Sequence, residues 1–190
     1  MKRILILDGH PAAQSLSRAL AETYAEAARL AGHEVRLVHL HELQFDHDYA
    51  EKKPLEPRLD QLMQDLAWSD HFVMTTPMWW GGVPAKLKGL FDRALLPGRA
   101  YDPRKLSRLG IPAPLLTGRS ARVVFTSDTP GWFLRLVYKN ALIWQLRRQV
   151  LEFVGLKPAR FTHLGPASQA QPSQVTRWLE QMRLLGAAAV

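Results

Sequence analysis

The feature that most constrains this 190-residue chain is an alternation, kept up from end to end, of short apolar runs with amphipathic stretches. Runs of four to six apolar residues are strand-sized, and a stripe at three- and four-residue spacing marks a helix. A chain that alternates the two builds a parallel sheet covered by helices on both faces. Residues 3–7 (RILIL) predict a fully buried first strand ending at Asp8-Gly9. From Ser15 a helix follows, with Leu16, Ala19, Leu20, Thr23, Tyr24, Ala27 and Leu30 as its stripe and Gly32 as its stop. Residues 34–40 (EVRLVHL) alternate apolar with polar, as a half-exposed edge strand does.

Residues 41–57 are irregular and acidic, punctuated by Pro54 and Pro57, and a short helix over 58–67 uses Leu59, Leu62, Met63 and Leu66. Residues 71–76 (HFVMTT) predict a second buried strand, and residues 77–82 a loop. Pro84 suits the first turn of a helix carried by Leu87, Leu90, Phe91, Ala94 and Leu95 and ended by Pro97-Gly98. A long connection over 99–120 leads to a third buried strand at 121–126. A helix over 134–154 stops at Gly155, residues 159–164 form the other edge strand, and a last helix begins near Pro172-Ser173. Five strands, edge-like at the second and fifth, predict an α/β three-layer sandwich with a parallel sheet of order 2-1-3-4-5. With no repeat or linker, residues 1–190 read as one domain.

No apolar run is long enough to span a bilayer, and Asp8 breaks the stretch after Met1-Lys2-Arg3 too early for a signal peptide. The absence of cysteine excludes a thiol nucleophile, a disulfide, a Cys-ligated zinc and an iron–sulfur cluster, and is compatible with the cytoplasm. The net charge of +8 is uneven: residues 99–160 hold twelve Lys/Arg against three Asp/Glu, and residues 41–70 hold eight acids against three bases. The basic residues are scattered, so the charge reads as a solvated surface or an attraction for phosphorylated cofactors or an acidic partner, rather than for nucleic acid.

In the predicted sheet the ligand lies beyond the carboxyl ends of the strands, where strand order reverses between strands one and three. Three segments converge there. Residues 9–17 (GHPAAQSLS) open a helix, so free N–H groups and the positive helix end favour an anion, with His10, Ser15 and Ser17 as further donors. Ser15 serves equally as a plain N-cap. Residues 76–89 (TPMWWGGVPAKLKG) set two tryptophans in a Pro/Gly loop, an arrangement that suits a planar ligand better than a core. Residues 126–133 (TSDTPGWF) offer backbone N–H groups to a ligand oxygen.

On these residues the chain resembles the NAD(P)H:quinone oxidoreductases of the DT-diaphorase and drug-activity-modulator type, within the flavodoxin-like fold. The most specific stretch is PMWWGGVPAKLKGLFDR (77–93), similar to the family's flavin loop and following helix; H-P-x-x-x-S-x-S (10–17), LPGRAY (96–101) and LEFVGL (151–156) support it. The resemblance implies that His10, Ser15, Leu16 and Ser17 hold the flavin phosphate. It implies that Pro77, Met78, Trp79, Trp80 and Gly81 line one edge and face of the ring, and that Thr126, Ser127 and Asp128 lie beside its pyrimidine edge. The Gly-Gly pair that many relatives carry after the fourth strand is replaced by Ser127-Asp128-Thr129-Pro130. The family's Tyr and His have no clear match, though Phe133 and Tyr138 lie nearby.

The implied activity passes a hydride from NAD(P)H through bound flavin, FMN in preference to FAD, to quinones or similar small oxidants, with no catalytic side chain assigned. A homodimer is implied too, with Trp132-Phe133 and the 99–120 loop as contributors. The rival reading is a flavin-binding ancillary subunit of a membrane ion-efflux system, which the basic 99–160 stretch would serve. A receiver domain shares the fold, but Asp8 lacks the acidic neighbours that hold magnesium, and no Gly-x-Ser-x-Gly supports a serine hydrolase.

Overall fold

The computed structural model describes residues 1–47, 54 and 56–190. The elements run β1 (Arg3–Asp8), α1 (Leu16–Leu30), β2 (Glu34–His39), a 3-10 turn (Leu40–Glu42), α2 (Pro57–Trp68), β3 (His71–Pro77), α3 (Ala85–Ala94), β4 (Tyr101–Leu106), β5 (Pro112–Pro114) and β6 (Arg119–Thr126). They continue with α4 (Gly131–Leu136), α5 (Ala141–Trp144), a π-helical stretch (Gln145–Leu151), α6 (Glu152–Val154), β7 (Leu156–Leu164) and α7 (Pro172–Ala188). Of the irregular acidic stretch at 41–57, residues 48–53 and 55 lie outside the described residues.

Five strands pair in parallel in the order β2-β1-β3-β6-β7. The expected consecutive order 2-1-3-4-5 is corrected by two extra strands: β4 and β5 pair antiparallel as a separate ribbon inside the 99–120 connection. The ribbon carries Pro103, Pro112 and Pro114 and is largely solvent-facing, so it lacks the two-residue apolar period that announces a strand.

β1 is apolar on both faces because both are covered. Leu5 and Leu7 meet Leu59, Leu62, Leu66, Leu87 and Leu90 of α2 and α3, while Ile4 and Ile6 meet Leu20, Tyr24 and Ala28 of α1 and Met182 of α7. Each fully buried Leu or Ile contributes about 1.5–3 kcal/mol. The two layers rest on this strand and on β3 and β6, which alternate in the same way through Phe72/Val73/Met74 and Val123/Val124/Phe125.

The continuous helix expected over 134–154 is broken. The chain leaves α4 at Leu136, and Lys139 and Asn140 adopt left-handed φ values of 51° and 54° before α5 begins. Asparagine tolerates that region better than most residues, and the break turns Tyr138 toward the carboxyl ends of the strands. At the far end of the segment Gly155 has φ of 105°, and a Cβ there would lie 2.9 Å from the Leu116 carbonyl carbon, so glycine is required.

At the amino ends of the strands His71 is buried, its Nδ1 2.7 Å from Ser120 Oγ across the β3–β6 pair. Burial, with lesser contributions from Lys2, Arg122 and Arg160, pushes its pKa down to about 4. The unfolded chain binds a proton there near pH 6.5 that the fold refuses until pH 4, so stability falls as pH drops through that window and is unaffected above it. His71→Gln is expected to reduce the loss between pH 7.5 and pH 5 by about 1–2 kcal/mol in urea unfolding curves, and an unchanged pH slope would contradict this reading.

Candidate functional site

At the carboxyl end of the sheet the three loops are tied together through the backbone. Gly9 N–H donates to the Thr75 carbonyl at 2.7 Å, joining the first loop to β3. Met78 N–H donates to the Thr126 carbonyl at 2.7 Å, and Ser127 N–H to the Leu164 carbonyl at 3.2 Å. The loops after β1, β3 and β6 are thus set side by side at the reversal of strand order, where ligands bind in open α/β sheets.

Ser15 caps α1: its Oγ accepts from Arg18 N–H at 3.0 Å. The N-cap reading is therefore observed, and it leaves the anion reading intact. The N–H groups of Leu16 and Ser17 stand in the first turn, before any helix carbonyl can receive them, at the positive end of the helix. Thr75 Oγ1 donates to the Ser17 carbonyl at 2.9 Å and fixes that turn on β3. His10 Nδ1 accepts from Ala12 N–H at 3.0 Å, which orients its ring edge-on to Trp79 with centroids 5.5 Å apart.

Trp79 and Gly82 exchange two backbone hydrogen bonds of 2.9 Å around Trp80-Gly81. Both central residues have positive φ, 50° and 76°, as a type I′ turn demands. Gly81 takes this conformation freely; a tryptophan does not, and the strain is of order 1 kcal/mol. Nor is Trp80 compensated by burial, since its side chain is fully exposed.

Beside this turn lies a cleft of about 540 Å³. Of the residues singled out in the sequence, Met78, Trp80, Gly81, Ser127 and Asp128 line it. Pro77 and Thr126 are buried at the strand ends beneath it, and Trp79 turns toward His10. His10, Ser15, Leu16 and Ser17 lie outside the cleft lining, with the His10 ring against Trp79. The opposite wall, formed by Leu134, Tyr138 and residues 140–143, went unassigned because it depends on the helix break at Lys139-Asn140. Two signals were readable: Tyr138, noted in the sequence as lying nearby but matched to no role, and Asn140, a residue that favours left-handed backbone.

Below the floor, His163 Nε2 lies 2.8 Å from Ser127 Oγ and its ring stacks on Phe125 at 5.0 Å. Burial pushes the His163 pKa down, which disfavours the charged form of the imidazole beside Ser127. Asp128 accepts from Ser168 N–H at 2.6 Å, and that bond holds its carboxyl below the usual range. These groups fit a flavin mononucleotide: an anion-binding helix start, an unburied indole on a strained turn, and an open cleft of ligand size.

Such a fold and site define the flavodoxin-like class of α/β proteins. A family model described as flavodoxin-like fold matches residues 2–184, and the chain belongs to that family. It is 29% identical over 175 residues to an FMN-dependent NADH:quinone oxidoreductase of Beijerinckia indica, covering 82% of this chain and 84% of that one. It is 23% identical over 184 residues to the guinea-pig (Cavia porcellus) NAD(P)H dehydrogenase [quinone] 1, covering 83% of this chain and 66% of that one. The NAD(P)H:quinone oxidoreductase of Methanothermobacter marburgensis superposes with a TM-score of 0.80 over 99% of this chain and 96% of its own at 23% identity, a likeness of fold.

Trp80→Asn keeps a residue suited to left-handed backbone and removes an unburied indole. It is expected to leave stability unchanged or raise it by about 0.5–1 kcal/mol in urea unfolding; a clear loss would mean that the indole is packed in solution.

Proposed function

We propose that this protein is an FMN-dependent NAD(P)H oxidoreductase that reduces quinones or similar small oxidants, with residues 1–190 acting as one flavin-binding domain. The observation that carries this reading is Trp80: an indole fully exposed on a strained turn, at the rim of a cleft that ends against a second loop. Strain kept without burial favours a role in binding over a role in folding.

In this reading the N–H groups of Leu16 and Ser17, with Ser15 and His10 beside them, hold the phosphate. Pro77, Met78, Trp79, Trp80 and Gly81 take one edge and face of the ring, and Thr126, Ser127 and Asp128 lie along its polar edge. Bound there, FMN supplies the two-electron chemistry that links a nicotinamide donor to an oxidant. The chain's own residues position and shield. Backbone ties hold the two ring loops at fixed separation, and Ser127, which lines the cleft, is anchored by the contact of its Oγ with His163. Met78, Phe125, Leu134, Leu142 and Ile143 give the cleft apolar walls that exclude water.

The exposed Trp132, Leu136 and Val137 near the cleft support a homodimer in which a second copy covers this face. The lack of cysteine and of any helix, among the described residues, long and apolar enough to cross a membrane supports a cytoplasmic location. Neither of the named curated relatives is an ancillary subunit of an efflux system, and the enzyme reading is preferred.

FMN-reconstituted protein is expected to show a visible flavin band that bleaches with NADPH or NADH and returns with a benzoquinone. Trp80→Asn is expected to weaken FMN binding roughly tenfold, in keeping with the loss of one aromatic contact. Protein that retains no FMN would overturn the proposal, and bound flavin that nicotinamide cannot reduce would favour the ancillary reading.

A further inference from the structure

On the other side of the first loop, Asp8, His39 and His41 form a cluster that the flavin site does not use. Asp8 ends β1 and is wholly buried; His39 ends β2, directly beside it in register. His41 lies in the 3-10 turn that follows, and the intervening Leu40 points into the core, so the two imidazoles come to one side with centroids 5.6 Å apart. Each of the three side chains offers a ligand atom, and all of these atoms lie within 4.8 Å of one another.

The Asp8–His39 contact alone has an ordinary explanation. Asp8 Oδ1 accepts from His10 N–H at 3.1 Å, and Oδ2 lies 3.1 Å from His39 Nδ1, which satisfies a buried carboxylate. His41 has no such account. Its Nδ1 is sealed from solvent and has no hydrogen-bond partner among the described residues, where a buried polar atom left unpaired costs about 1–3 kcal/mol. Its Nε2 faces Glu42 Oε1 at 3.5 Å, as His39 Nε2 faces Glu22 Oε1 at 4.0 Å. An imidazole with one nitrogen turned inward and the other toward a carboxylate is the arrangement that orients histidine for a metal.

We propose that Asp8, His39 and His41 form a site for one first-row transition dication, with Zn2+ as its natural occupant. Two imidazoles and one carboxylate suit Zn2+, whereas Mg2+ and Ca2+ take oxygen ligands. The 3.1 Å between Asp8 Oδ2 and His39 Nδ1 is close to the edge of a tetrahedron built on bonds of roughly 2.0–2.1 Å, which is about 3.3 Å. Side-chain rotation of His41 closes the third edge, and the fourth position is left for water. Asp8, Glu22 and Glu42 supply three carboxylates around the site against two cations, the guanidinium of Arg18, which pairs with Glu22 at 2.7 Å, and the ammonium of Lys86, which donates to the His41 carbonyl at 3.3 Å. A bound cation would clasp the end of β1 to the turn after β2, one residue away from the loop that begins at Gly9.

Binding is tested on the purified full-length chain, stripped with EDTA and free of flavin. Zn2+ is added in titration calorimetry, and Co2+ in a visible absorption titration. One equivalent of each is expected, Co2+ giving the intense bands of a four-coordinate site. His41→Gln is expected to lower Zn2+ affinity at least tenfold and abolish the Co2+ bands, while His33→Gln, remote from the cluster, leaves both unchanged. Circular dichroism shows whether each variant is folded, and His39→Asn provides a second removal should His41→Gln unfold. No saturable Zn2+ binding by the unmodified chain would overturn the proposal, as would a Co2+ spectrum of six-coordinate type or equal binding by folded His41→Gln or His39→Asn. None of these readouts depends on whether the chain carries flavin.

Discussion

The structure depends on a strand that has no solvent face. β1 is covered above and below, and with its neighbours paired on both edges its backbone is fully committed inside the sheet. Such a strand can end only where its covering layers part, and there the next backbone groups must find partners at once. Gly9 finds the Thr75 carbonyl and His10 N–H finds the Asp8 carboxylate, so the first loop is directed within two residues of leaving the sheet. The geometry of the helix start at Leu16 follows from that departure.

The second loop spends some of the stability the core provides. A two-residue I′ turn with tryptophan at its first central position is a poor local choice, since the same turn forms more easily around Asn-Gly. Trp80 shares its positive φ with Lys139, Asn140 and Ala189 among the described residues, and what sets it apart is that it is the one aromatic of the four and lines the cleft. An exposed indole on a turn closed by two backbone hydrogen bonds is a ready surface for a planar ligand, because the backbone that carries it is already ordered.

Most of the architecture was legible because its signal is periodic. β1, α1, β2, β3, α3, β6 and α7 begin and end near where residue spacing places them, since each buries a stripe or alternation that leaves a trace in sequence. The ribbon of β4 and β5 was not legible: proline and exposed charge carry no period, and the connection between the two strands is closed by a backbone bond, Ser107 N–H to the Ile111 carbonyl. The break after Leu136 was hidden for the opposite reason, because the apolar spacing of Leu134, Leu142 and Leu146 continues across it as if the helix did. Half of the cleft wall was lost with that break. The side facing Trp80 was readable because tryptophans in a Pro/Gly loop have no core to enter. His163 gave no signal, since one histidine in an edge strand is commonly a packed one; its contact with Ser127 is made only by the pairing of β6 with β7.

That the site is framed by backbone hydrogen bonds explains how the fold persists at low identity. The contacts that set the spacing of the three loops, Gly9 to Thr75, Met78 to Thr126, Ser127 to Leu164 and Ala167 to Ser127, all run between main-chain atoms. Side chains at those positions can change without moving the loops, provided that no β-carbon is forced into a neighbour. A TM-score of 0.80 at 23% identity is what such a frame permits. Chemistry on this fold then varies through side chains that project from the frame, at Trp80, Tyr138 and Asn140 on one side and at His39 and His41 on the other, while the frame itself stays in place.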